Sequence, residues 1–298
     1  MGTFSMSARY LMAISVVLTV FFSQTLFAQD KSELDPESTA KSKAYWKAGA
    51  DVVTNNVYLG RADSGVTQVY IPSLTYNFKW GLYLTGSAEY IPNRSENKLD
   101  GATLGIGYSF TLAKNLEGSV SWSKSFYAST STQISSSISS TTNASLDYNI
   151  AEIVTISISA DFNKGVKGSR NDILTNPTLS HDFVLENVGG EEHSLIITPT
   201  AGVNAGTQNF YDSDLKKAKG KRAKAINARL AAYSVTLSKY TLLDEEFSLP
   251  VTYSLKPILF SVTPNLALPQ NKLAKILTAG QDKRSSLVYV DFGISIKF

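Results

Sequence analysis

The chain has 298 residues, a formal net charge of +3, no cysteine and only 18% charged residues. The lack of cysteine excludes disulfide scaffolds and thiolate metal sites, and the weak net charge excludes the strongly basic balance typical of nucleic-acid-binding proteins. Tyrosine is the commonest aromatic residue, with 15 Tyr against 14 Phe and 3 Trp. Together with abundant Ser and Thr, this composition favours a β-rich fold.

Residues 1–28 have the layout of a secretory signal peptide. Arg9 supplies the positive charge, residues 11–22 form the apolar core, and Ala28 is a small residue just before the predicted cleavage site. An uncleaved anchor is the alternative, but the apolar stretch is shorter than the about 20 residues that a membrane-spanning helix needs. Residues 29–45 are polar and aperiodic, which predicts a flexible periplasmic segment.

From residue 46 to residue 298 the chain repeats stretches with two chemically different faces. In GATLGIGYSFTLA (101–113), Leu104, Ile106 and Tyr108 share one parity, while Thr103 and Gly105 share the other. This period of two predicts strands. The predicted strands are 46–59, 66–78, 81–92, 101–113, 116–128, 142–150, 153–164, 172–186, 194–210, 241–255, 258–268 and 286–298.

Such strands fit either a soluble sandwich or a membrane barrel, and the connectors discriminate between the two. Short connectors (79–81, 113–115, 151–152, 189–193, 256–257) alternate with longer ones (93–101, 129–143, 165–172, 211–240, 270–286), and only 61–65 is brief on the long side. Bacterial outer-membrane barrels sort their connectors in this way, and a soluble sandwich has no reason to. The small polar face (Ser, Thr, Gly, Asn) suits a narrow lumen. The sequence therefore predicts an all-β, transmembrane antiparallel up-and-down β-barrel of about 12 strands (range 10–14) in one domain, 46–298.

These features, together with the final strand LVYVDFGISIKF, resemble bacterial outer-membrane β-barrel proteins over nearly the whole mature chain. In that family the barrel-assembly machinery recognises a closing strand with a terminal aromatic residue, so the resemblance implies that Phe298 is an assembly signal. It also implies an outer-membrane location, with lipid and lipopolysaccharide as surroundings. Residues 246–271 are similar to the penultimate hairpin of uncharacterised Bacteroidetes-type barrels, a likeness that brings no known activity.

The histidines do not support an enzyme. Twelve strands and this length also match the outer-membrane phospholipase family, which carries a His-x-Ser-Asn-Gly motif. His181 (LSHDF) and His193 (EEHSL) lie outside any such motif and close to predicted short turns. The sequence contains no recognisable nucleotide, cofactor or metal motif, so we predict no enzymatic activity and no cofactor.

Five carboxylates on the lumen-facing parity are candidate site residues, and two interpretations stay open. They form a ring that favours cations or binds a polar solute, or they pair with neighbours such as Lys297 and keep the interior wet. They are Glu89, Asp147, Asp161, Asp182 and Asp291.

Two outer loops have distinctive compositions. The basic loop within 211–240 contains a predicted short helix (AKAINARLAAY) and would bind lipopolysaccharide phosphates or another anion, fold in as a plug, or remain a solvated loop. Its candidate basic residues are Lys216, Lys217, Lys219, Lys221, Arg222 and Lys224. The Ser/Thr tract 129–143 is interpreted as a flexible loop or a hairpin extension without a site.

The functional prediction is a narrow pore or channel for small polar solutes. Eight-stranded barrels are filled by side chains and those with sixteen or more strands leave an aqueous channel, and twelve strands fall between these limits. The alternative is a non-conducting structural or adhesive barrel whose outer loops bind a partner. The low volume of the lumen-facing side chains favours an opening, unless the loop 211–240 folds inward.

Overall fold

The computed structural model describes residues 43–62, 68–94, 98–211, 220–232, 236–270 and 286–298. Besides strands, these ranges contain the 3-10 helices Ile134–Ser137 and Asn209–Tyr211 and one α-helix, α1 (Gly220–Ala232). No helix in this part of the chain is long and apolar enough to span a membrane.

In chain order the strands are β1 (Tyr45–Val53), β2 (Val57–Tyr58), β3 (Arg61–Ala62), β4 (Val69–Asn77), β5 (Leu82–Tyr90), β6 (Leu99–Ala113), β7 (Leu116–Tyr127), β8 (Ile138–Ile150), β9 (Val154–Gly165), β10 (Asp172–Ser180), β11 (Phe183–Glu186), β12 (His193–Ile197), β13 (Thr200–Gly206), β14 (Thr241–Ser248), β15 (Val251–Leu255), β16 (Ile258–Pro269) and β17 (Leu287–Lys297).

All strands except β2 and β3 pair antiparallel in one sheet that closes on itself through β16–β17 and β17–β1. Three barrel strands are each divided into two segments: β10 with β11, β12 with β13, and β14 with β15. Pro199 and Pro250 lie in two of these breaks, where each lacks the N–H that a continuous ladder would need. The predicted closed barrel of twelve strands is therefore confirmed.

The seam joins the two ends of the described chain. Lys47 lies opposite Lys297, and Val53 lies opposite Asp291. At the rim, the backbone N–H of Trp46 donates to the carbonyl of Phe298 at 2.8 Å, and the N–H of Phe298 donates back to Trp46 at 2.9 Å. The first and last strands close the barrel because each satisfies the backbone groups that the other would leave unpaired.

The outer face carries the apolar parity. Leu104 is 59% exposed there, whereas its neighbour Thr103 is buried on the inner face. An aromatic chain with centroid separations of 4.6 to 6.5 Å runs along the rim of the short turns. Its members are Trp46, Tyr76, Phe78, Trp80, Tyr108 and Phe110.

Three predicted strand boundaries differ from the structure by four or more residues, all at the end of the barrel that carries the long loops. The first strand ends at Val53 rather than at residue 59, and β13 ends at Gly206 rather than at residue 210. Strand β8 begins at Ile138, inside the Ser/Thr tract. In the first two cases the residues removed from the strand turn inward instead, and they form the site described next.

Candidate functional site

The hairpin β2–β3 folds from the end of β1 into the lumen. Tyr58 and Leu59 are only 7% and 2% exposed. Tyr58 pairs with Arg61 across a two-residue turn, in which Leu59 has a φ of 51° and Gly60 a φ of 70°. Two positive φ angles are typical of a type I′ hairpin turn, and a leucine rarely adopts one. The buried surroundings of Leu59 hold the turn in this conformation.

One side of the hairpin packs against strands β14, β16 and β17, which we call the hairpin-facing wall. Val57 contacts Ala267, Leu287 and Tyr289 in a buried cluster. Gly60 lies so close to β14 that a Cβ atom built there would be 2.7 Å from the Cβ of Asp244. Glycine is therefore required at the turn both for its backbone conformation and for this close approach.

Arg61 points towards the outer end of the lumen. Its Nη2 donates to Oε1 of Gln208 at 2.6 Å, and its guanidinium lies 5.6 Å from the ring centroid of Phe210 and 5.1 Å from that of Tyr211. These distances are typical of cation–π interactions, which are stronger when the cation is shielded from water. The side chain therefore ties the hairpin to the segment that follows β13.

An apolar cluster fills part of the lumen at the end with the long loops. It joins the hairpin to the barrel wall and to the segments on either side of α1, and Leu230 of α1 packs against it. Its buried members are Tyr58, Leu59, Ile138, Leu174, Phe210, Tyr211, Leu237 and Leu243. Part of the long loop, at Tyr211, Leu230 and Leu237, therefore packs inward, so the sequence argument for an opening from the low volume of the side chains does not apply at this end of the lumen.

A cavity of about 110 Å³ lies between the hairpin and the opposite side of the barrel. We call that side, strands β4 to β10 together with β13, the cavity wall. Each of these strands contributes at least one lining residue, among them Ile71, Glu89, Thr103, Ser123, Asn143, Asp161, Asn176 and Asn204. Since about 10–15 Å³ of such volume holds one water molecule, the cavity has room for several.

Gln133, in the Ser/Thr tract, connects the cavity wall with the hairpin. Its Nε2 lies 2.6 Å from both Oε2 of Glu89 and Oδ2 of Asp100, and its Oε1 accepts a hydrogen bond from Asn56 at 2.9 Å. Asp100 also forms a salt bridge with Arg94. Nothing in the sequence of the tract implies a site, but in the structure Gln133, Ser135, Thr141 and Asn143 line the cavity.

The remaining polar groups of the cavity wall are paired across neighbouring strands. Nδ2 of Asn143 donates to Oδ1 of Asp161 at 2.6 Å, and the hydroxyl of Thr141 donates to Asn163 at 2.6 Å. Nδ2 of Asn176 donates to Asn204 at 2.9 Å. These polar side chains therefore find hydrogen-bond partners within the wall, and their hydroxyl and amide groups still line the cavity.

The five predicted carboxylates do not form one ring. Only Glu89 and Asp161 line the cavity. Asp291 lies on the hairpin-facing wall and accepts a hydrogen bond from Asn265 at 2.9 Å. Asp147 lies opposite Glu117 in the register of β7 and β8, close to a short turn.

The fifth carboxylate, Asp182, lies at the break between β10 and β11, where it accepts a hydrogen bond from Thr198 at 2.6 Å. Lys297, the expected partner of such carboxylates, lies at the rim of the short turns with its Nζ 4.2 Å from the centroid of the Tyr45 ring.

The predicted basic residues fall largely beyond the described side chains. Lys216, Lys217 and Lys219 lie outside the described residues. The helix α1 contains residues 223–232, which confirms the helix predicted there. Lys221 and Arg222 lie at the start of α1, and Lys224 is exposed on it.

The histidines lie at the short-turn end of the barrel, away from the cavity. Nδ1 of His193 is 2.6 Å from the hydroxyl of Tyr253, and Nδ1 of His181 contacts the carbonyl of Ile153. In the described ranges no group of three or more His, Asp or Glu side chains is placed to hold a metal ion.

No protein-family model matches the chain, and no curated protein matches it. Solved structures with a similar fold include a KdgM porin, with 8% identity, a TM-score of 0.46, and coverage of 86% of this chain and 99% of the other. A NanC porin has 9% identity, a TM-score of 0.42, and coverage of 86% and 100%. LpxR from Salmonella typhimurium has 11% identity, a TM-score of 0.45, and coverage of 84% and 99%. These likenesses are too distant to assign a family.

Proposed function

We propose that this barrel is a narrow pore for small polar solutes in a bacterial outer membrane. The observation that carries the proposal is the cavity beside the hairpin, lined mainly by hydroxyl and amide groups. An interior built only for stability would be filled by side chains, as in eight-stranded barrels. An unfilled polar cavity in a twelve-stranded barrel instead supports a restricted passage.

The inner face below the hairpin supports the same proposal. Towards the short turns, the inward positions carry small side chains, among them Gly49, Ser73, Thr85, Gly105 and Ser121. Such residues project little into the lumen and offer hydroxyl groups to water, and the larger Tyr83 lies over Gly107 in the same region. The hairpin is then the constriction, and a solute would pass between it and the cavity wall.

The outer-membrane setting remains part of the proposal. The exposed apolar outer face and the aromatic rim are the arrangement that lipid requires of a barrel. Cleavage of the signal peptide 1–28, recognition of Phe298 by the assembly machinery, contact of the basic loop with lipopolysaccharide and the Bacteroidetes-type resemblance of 246–271 stay predictions.

Single-channel recording tests the proposal. The protein, purified and refolded in detergent, is inserted into planar bilayers, with heat-modifiable electrophoretic mobility as the check of folding. We expect ohmic current steps, and we expect liposomes containing the protein to swell in small sugars faster than in large ones. The absence of current steps over many insertions of folded protein would overturn the pore.

The second candidate function is a non-conducting barrel whose outer loops bind a partner. The apolar cluster around Tyr58 and Phe210 favours it, because it fills part of the outer end of the lumen. The same recordings discriminate between the candidates, since folded protein without conductance is the result that this second function predicts.

A further inference from the structure

We propose that the cavity is a binding site for small monovalent cations, alkali-metal or ammonium, and makes the pore select cations over anions. This inference rests on the proposed pore and adds the charge class of its solute. It follows from the charges around the cavity, from the chemistry of the lining atoms and from the orientation of Arg61.

In the part of the chain that the structure describes, the charges that line the cavity are all negative. Glu89, from β5, and Asp161, from β9, face it, and none of its described lining residues is a lysine or an arginine. Neutral groups donate hydrogen bonds to both carboxylates. Glu89 accepts hydrogen bonds from Gln133 and Tyr127, and Asp161 accepts one from Asn143. A cleft lined by charge of one sign and enclosed by low-dielectric walls concentrates ions of the other sign.

The nearest cationic side chain on the hairpin is turned away from this space. Arg61 does not line the cavity and is instead bound to Gln208 and the rings of Phe210 and Tyr211. The hairpin therefore blocks part of the lumen without placing a cationic side chain on the surface of the cavity. The groups that it does place in the cavity include Asn56 and Tyr58, which are uncharged donors and acceptors.

The lining atoms are those that hard cations prefer. Hydroxyl and amide oxygens of Thr141, Asn143 and Asn163 surround Asp161, and oxygen ligands suit alkali-metal and ammonium ions. The described residues lack a metal-binding group of three acidic or histidine side chains. The site therefore fits a loosely held, partly hydrated monovalent ion better than a tightly coordinated metal.

The test is the reversal potential of the full-length protein in planar bilayers under a potassium chloride gradient. We expect the reversal potential to have the sign that indicates a preference for potassium over chloride. Asp161→Asn keeps the acceptor for Asn143 and removes only the charge, so the barrel should fold normally. We expect it to lower the potassium-to-chloride permeability ratio by about threefold or more, since one-sign clefts raise the counter-ion concentration by about tenfold or more. Adding Glu89→Gln should bring the ratio close to that of free diffusion.

Glu152→Gln is the matched control, because Glu152 lies exposed in a short turn away from the cavity, and it should leave the ratio unchanged. Conducting wild-type protein with no cation preference, or with a preference that survives the double substitution, would overturn the inference and leave the pore intact. Folded protein without any conductance would overturn both.

Discussion

The cavity wall and the hairpin-facing wall belong to the same lumen but have different roles. Both carry inward-facing carboxylates: Glu89 and Asp161 on the first, Asp244 and Glu246 on the second. On the cavity wall these groups face open space, whereas Gly60 of the hairpin lies directly on Asp244. The comparison teaches that inward-facing polar residues do not by themselves define a passage. The segment that covers one wall decides which polar residues a solute meets.

Removing the hairpin should have the largest effect on the difference between the cavity wall and the hairpin-facing wall. We expect replacement of residues 55–62 by a flexible Gly-Ser linker to raise the single-channel conductance more than any other change considered, because both walls then face water. The increase in conductance is measured in planar bilayers. Replacing residues 166–171, in another long loop, by the same kind of linker is the control and should change conductance little. Equal conductance with and without the hairpin would show that the hairpin is not the constriction.

Displacing the hairpin without removing it should have a smaller effect. In Gly60→Val the new side chain would meet Asp244, at a backbone φ of 70° that valine disfavours. We expect the turn to move off β14, with higher conductance and more frequent fluctuations of the current. Gly86→Ala is the control, because a Cβ there has only an ordinary contact of 3.4 Å with Leu104. Unchanged conductance in Gly60→Val would contradict the close packing of the turn.

Removing the hydrogen bonds by which Gln133 links the cavity wall to the hairpin should mainly lower the stability of the barrel. Gln133→Leu removes the donor to Glu89 and Asp100 and the acceptor for Asn56. A buried polar group left without a partner costs about 1–3 kcal/mol, so we expect a lower unfolding midpoint in urea and a small change in conductance.

Ser136→Ala is the control for this change, because it removes only a hydrogen bond to the backbone of the same loop, and it should shift the midpoint less. Equal midpoints for the two variants would mean that Gln133 does not stabilise the wall.

The barrel was predictable because its signals are local. Alternation in segments such as 101–113 gives the strands, and the sorted connector lengths give the closed topology. These patterns predict a closed barrel, and the pairing of the first and last strands, with Val53 opposite Asp291, agrees with it. The breaks at Pro199 and Pro250 lie within two strands that the alternation predicts as continuous.

The site was less predictable because it depends on contacts between distant segments. The residues Thr54 to Leu59 were assigned to the first strand, although Asn55 and Asn56 end the alternation and Leu59–Gly60 forms a turn. Gln133 lies in a Ser/Thr tract with no local signal, and only the fold places it between Glu89 and Asp100. Parity identified Glu89 and Asp161 as inward-facing, but it also selected Asp147 and Asp182, which lie away from the cavity.

Cysteine accessibility tests most directly whether solute passes along the cavity wall. The natural chain has no cysteine, so single-cysteine variants can be labelled without background. Ser123→Cys lies on the cavity wall and Ala267→Cys lies beneath Val57, at positions that are 7% and 0% exposed in the native protein.

With a small cationic thiol reagent added during recording, we predict rapid modification of Ser123→Cys with a drop in conductance. We predict no reaction of Ala267→Cys unless the hairpin is removed. Equal reaction of the two variants, or modification of Ser123→Cys without loss of current, would contradict the account.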